Sequence, residues 1–148
     1  MPRIDTGRLA ACAAGVWAGV ILGMALIGAP VLFGSLSRES AGHVAGRMFA
    51  QEAYLSLAMS VVLLLLVRRQ AKAEAEAGHG SVFSTNVVLV LGALFCTLFG
   101  YFAIQPMMVA ARAGQGLWSF GALHGLSSVM FGLKGLIALT LAWRLSKA

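Results

Sequence analysis

Four long apolar blocks, at about residues 9–33, 43–67, 86–110 and 119–143, take up most of the chain and leave only short polar joints. At 1.5 Å of rise per residue each is long enough to cross a hydrocarbon core of roughly 30 Å as one helix. Inside lipid every backbone N–H and C=O must be satisfied within the protein, so spans of this kind fold as helices and not as open sheets. Composition points the same way. Only 11% of the residues are charged and 59% are hydrophobic, whereas soluble domains carry about 25% charged residues. The prediction is an all-α integral membrane four-helix bundle, a single four-span domain over residues 1–148, in contact with the lipid bilayer.

The net charge of +6 would suggest nucleic acid in a soluble chain. Here the basic residues flank the apolar blocks, so they read as topology determinants and no nucleic-acid partner is expected. With four spans, Arg3, Arg8, Arg68, Arg69, Lys72, Arg144 and Lys147 share one side, against Arg38, Arg47 and Arg112 on the other. The positive-inside rule then places both termini in the cytoplasm. Leu9-Ala10-Ala11-Cys12 matches a lipoprotein cleavage box, but no apolar stretch precedes it, so the first block is expected to stay as a span. Cys12 and Cys96 both fall in apolar blocks and read as small packing residues.

Small residues recur at helical spacing on two spans. Ala11, Gly15, Gly19 and Gly23 follow one another every four residues, and Gly121, Gly125, Ser128, Gly132 and Gly135 form a second stripe. Such stripes let helices approach closely in lipid. The expectation is that spans one and four pack through them, with a homodimer seam as the competing use. Pro30 and Pro106 are expected to kink or end their helices.

Polar residues inside the spans are candidates for function, because burying them in lipid is costly. Glu52, Ser56 and Ser60 recur at four-residue spacing, a stripe that should face protein. Glu52, Tyr101, Gln105 and His124 are placed in the outer half of the bilayer and form the candidate polar site. A carboxylate beside an imidazole in a low-dielectric site can share a proton, bind a metal ion or hold a cation. Hydrogen bonds that only fix helix register are the structural alternative. Lys134 lies ~15 Å along the last span from His124 and is expected to be too far from Glu52 for a direct salt bridge. A bis-imidazole haem would need His43 and His124 to face each other, yet His43 is roughly 180° around its helix from Glu52. No cofactor is therefore expected, and whether a metal binds is left open. Walker, HExxH, CxxC and nucleophile-elbow patterns are absent from the sequence, so no catalytic residue is assigned.

Trp17-Ala18-Gly19, Ala29-Pro30-Val31-Leu32-Phe33, Ala41-Gly42 with Ala45-Gly46 and Phe49, Glu52-Ala53-Tyr54, and Leu123-His124-Gly125 with Ser127 resemble the transmembrane-protein-205-like family. The resemblance runs from about Leu9 to Leu141. It implies four spans, carried in bacteria as a domain of unknown function, and no established activity; Lys134 matches none of its motifs. The expected protein is a multi-pass component of a bacterial inner membrane with a proton- or cation-responsive site for a small solute or ion. It would act as a homo-oligomer or beside another membrane protein. The rivals are a structural assembly partner and a haem-holding redox protein.

Overall fold

The computed structural model describes residues 5–147; Arg3, counted above among the basic residues, lies outside them. Four helices form, α1 (Thr6–Ser35), α2 (Arg38–Glu76), α3 (Thr85–Arg112) and α4 (Phe120–Leu145), each long and apolar enough to cross a membrane. No strand occurs among the described residues. The chain is an all-helical membrane protein, as its hydropathy blocks require.

Each helix starts on a side-chain cap that takes up free N–H groups of the first turn. The Asp5 carboxylate accepts from the Gly7 and Arg8 amides at 3.0 and 3.5 Å. Ser37, Ser84 and Ser119 do the same for the Ser40, Val87 and Ala122 amides. The start of α2 at Arg38 lies five residues before the predicted start at His43, and this shift changes the depth at which its side chains fall. At its far end α2 runs past Arg68 and Arg69 as an alanine-rich extension, and Gly78 then turns the chain at φ +81°.

Neither proline ends its helix. A proline ring clashes with the carbonyl four residues back and offers no N–H. In α1 one wider π-helical turn, Met24–Gly28, precedes Pro30; in α3 another, Leu98–Ala103, precedes Pro106. In both the hydrogen bonding slips by one residue, with the Ala29 amide donating to the Met24 carbonyl and the Ile104 amide to the Phe99 carbonyl. That slip relieves the carbonyls the rings would strike, so the helices run on to Ser35 and Arg112.

Around the bundle α1 borders α2, α2 borders α3, α3 borders α4 in the most extensive interface, and α4 closes against α1. The core fills only the half that carries the termini and the α2–α3 connection. There Ala10, Ala14, Trp17, Leu63, Val67, Val90, Ala138 and Leu141 are buried together. In the opposite half, the end of α1 packs on the start of α2, and the end of α3 on the start of α4, but the backbones of the two pairs stand apart. Long side chains bridge them instead. Phe49 meets Phe131 edge-on at 5.1 Å between ring centroids, and Tyr54 meets Phe102 at 5.4 Å. The result is a cleft, partly filled by these rings, above an apolar core.

The small-residue stripes do not build the α1–α4 interface. A methyl added at Gly15, Gly19, Gly23, Gly121, Gly125 or Gly132 would meet nothing within 4 Å, and Ser128 is exposed, its hydroxyl donating to the His124 carbonyl of its own helix. On both helices these residues lie opposite the buried face. The buried faces of the two helices are instead Ala10, Ala14, Trp17, Ala18 and Ile21 on α1 and Ala138, Leu141 and Leu145 on α4, all in one apolar cluster. Of the glycines in the α4 stripe, Gly135 alone is at this seam, where an added Cβ would stand 3.2 Å from Ile21 Cγ2. Close approach is also used at Gly100, whose added Cβ would fall 2.6 Å from Met130 Cβ; the Ser127 hydroxyl donates to the Gly100 carbonyl at 2.7 Å across the same contact.

Candidate functional site

At the floor of the cleft an ion pair crosses the bundle diagonal. Lys134 Nζ on α4 donates to both oxygens of Glu52 on α2, at 2.7 Å to Oε2 and 2.9 Å to Oε1. The two side chains are 4% and 2% exposed, so water does not screen them and the attraction acts in a low dielectric. Charges so placed are retained only when paired and hydrogen-bonded. Both conditions are met. Ser56, one turn along α2, donates to Glu52 Oε1 at 2.5 Å and accepts from Lys134 Nζ at 3.2 Å. Trp17 on α1, wholly buried, donates its indole N–H to Ser56 Oγ at 2.9 Å. Lys134 also lies 4.9 Å from the centre of the Phe131 ring, a cation–π contact. α3 contributes the buried Cys96 and Thr97 on the remaining side, the Thr97 hydroxyl bonded to its own helix at Ala93.

The salt bridge excluded by the sequence reading is therefore the central contact. Glu52 follows Arg38, the first residue of α2, by 14 residues, and Lys134 follows Phe120, the first of α4, by the same 14. Both helices run in the same direction, so ~21 Å of helix leads from each start to its charge. With α2 begun at His43, Glu52 seemed far shallower than Lys134. The signal that would have joined them was charge balance: an anion within span two and a cation within span four, each needing a partner away from water.

The other predicted site residues are not brought to Glu52. His124 is exposed and stacks on Phe120 with ring centroids 5.7 Å apart. Tyr101 is half-buried and packs edge-on against Phe102, and Gln105 is half-buried further toward the end of α3. No hydrogen bond links any of the three to the Glu52 carboxylate, whose partners are Ser56 and Lys134. His43 is also exposed. Among the described residues no three His, Cys, Asp or Glu side chains come together as a metal site would require.

The polar stripe on α2 does face protein, since Glu52, Ser56 and Ser60 are all buried. Ser60 is its terminus: fully buried, with no hydrogen-bond partner for Oγ. Beyond it toward the termini come Leu63 and Val67, so the polar column stops in apolar side chains. The arrangement gathers a carboxylate, an ammonium, a hydroxyl and an indole N–H into one buried hydrogen-bonded cluster.

No curated protein and no solved structure matches the chain. A family profile does, over residues 12–116. The matched stretch contains Trp17, Glu52 and Ser56 but ends before Lys134, so the cation of the pair lies outside it. By this match over most of its length, the chain belongs to the family described as Domain of unknown function (DUF4149).

Proposed function

We propose that the protein is a non-enzymatic component of a bacterial inner membrane, with both termini cytoplasmic, in which the Glu52–Lys134 pair is a proton-responsive clasp serving a small solute or ion. The observation that carries this reading is the placement of the pair, between a half joined by aromatic side chains and an apolar core. Arg8, Arg68, Arg69, Lys72, Arg144 and Lys147 at the core end support a cytoplasmic assignment for that end. The cleft then opens outward. Protonating Glu52 removes the charge that holds Lys134, and with it the polar tie between α2 and α4. The two helix pairs, already apart above the clasp, are then free to separate or to admit a solute. The resemblance to the transmembrane-protein-205-like family fits the same four-span frame.

Trp17 is a built-in reporter, because its indole is bonded to the network through Ser56. With Trp118 and Trp143 replaced by Phe, Trp17 emission in liposomes should change reversibly on acidification, and Glu52→Gln should abolish the change. An unaltered response in Glu52→Gln would sink the idea.

A second reading, an assembly partner or homo-oligomer, is favoured by the stripe at Gly15, Gly19 and Gly23, which faces away from the bundle with open space around it. Cys12 is exposed on that side of α1. Oxidative cross-linking through Cys12 in membranes should give a dimer that Gly19→Leu prevents; a cross-link insensitive to Gly19→Leu would rule the seam out.

A further inference from the structure

Where the start of α2 faces the end of α3, at the mouth of the cleft, a pocket is lined by Arg38, Ser40, His43 and Arg112, with Glu39 as the one acidic group. Three features favour an anion there. Two guanidiniums and an imidazole line one open pocket. Neither arginine has a carboxylate within 4.0 Å among the described residues, Glu39 included. The N-terminus of α2, a 39-residue helix whose Ser40 amide is capped by Ser37, adds its partial positive charge at the same place. Arg112 is also held in position, its guanidinium lying 4.4 Å over the Phe120 ring.

Depth indicates where the anion comes from. Arg47, on the exposed face of α2, and Arg68 are separated by ~31 Å of helix, the thickness of a hydrocarbon core. His43 lies ~6 Å and Arg38 ~14 Å beyond Arg47 along the helix, so the pocket reaches from the headgroup layer to its outer edge. Planar guanidiniums suit phosphate oxygens, which they can bind in pairs.

We propose that this pocket binds the phosphate of an anionic bilayer lipid, held between Arg38 and Arg112 at the cleft mouth. The site is separate from the Glu52–Lys134 clasp and does not depend on its being proton-responsive. A cationic solute would be repelled at this entrance, whereas an anionic headgroup is drawn to it.

The test is native mass spectrometry of the full chain in mild detergent, with phosphatidylglycerol or phosphatidylcholine added at equal concentration. The first phosphatidylglycerol should be retained about tenfold better than phosphatidylcholine, as expected for charge-assisted pairing. Arg38→Gln with Arg112→Gln should remove that preference, while Arg68→Gln with Arg69→Gln at the other end should leave it intact. All these side chains are exposed, so folding is preserved, and an unchanged melting temperature verifies it. Equal retention of the two lipids, or a preference that survives the Arg38/Arg112 double variant, would overturn the proposal. Displacement of the lipid by millimolar inorganic phosphate would also overturn it, assigning the pocket to a free anion instead.

Discussion

Removing one member of the Glu52–Lys134 pair should cost far more than removing both. At 2.7 Å and an effective dielectric constant of 20, the attraction is about 6 kcal/mol. The desolvation of two nearly fully buried ions opposes it. Breaking such a pair by deleting one partner is therefore expected to cost about 3–5 kcal/mol, because the survivor stays buried without its counter-ion. Glu52→Gln leaves the Lys134 ammonium facing an amide, and Lys134→Met leaves the Glu52 carboxylate with Ser56 as its sole hydrogen-bond partner. The double variant has neither charge, and its loss should be no larger than that of either single change. Unfolding in detergent at neutral pH, run as a double-mutant cycle, should thus give a coupling of about 3 kcal/mol or more. Additive losses, within about 0.5 kcal/mol, would refute the assignment of the pair as an isolated, desolvated unit.

Two further substitutions separate glycines that touch a neighbour from glycines that do not. Gly100→Ala should destabilise by about 1–3 kcal/mol through overpacking against Met130, whereas Gly19→Leu should leave monomer stability in detergent within about 0.5 kcal/mol; thermal melts of the two variants decide this, and equal losses would contradict it. Ser60→Ala removes a buried hydroxyl that has no partner. It should be neutral or stabilising by up to about 1 kcal/mol, and a clear loss of stability would show that Oγ is engaged.

The hydropathy blocks made the four helices legible, because a span in lipid needs both length and apolarity and few other structures show both. The α2 stripe was legible for a similar reason: Glu52, Ser56 and Ser60 share one helical face, and lipid is an expensive place for it. The pairing of Glu52 with Lys134 was not, since it depends on where α2 begins, and Ser37 caps the helix through a polar stretch that hydropathy assigns to the loop. The glycine stripes were misassigned for a different reason. Small residues at four-residue spacing look the same on a face that packs and on one that meets lipid, and only what stands opposite distinguishes them. Gly100 and Gly135, which do sit at close contacts, belong to patterns no stronger than the rest. The π-helical turns before Pro30 and Pro106 were invisible, because a one-residue slip in hydrogen bonding leaves no mark on composition or period.

The protonation state of Glu52 itself tests the account most directly. Infrared difference spectra between neutral and acidic pH, recorded on the protein in lipid, report a buried carboxyl group through its C=O stretch. A protonated-carboxyl band that grows on acidification, disappears in Glu52→Gln and is accompanied by a change in Trp17 emission is the predicted result. A spectrum without such a band, or a band that persists unchanged in Glu52→Gln, would contradict a proton-responsive clasp and leave the pair a fixed brace between α2 and α4.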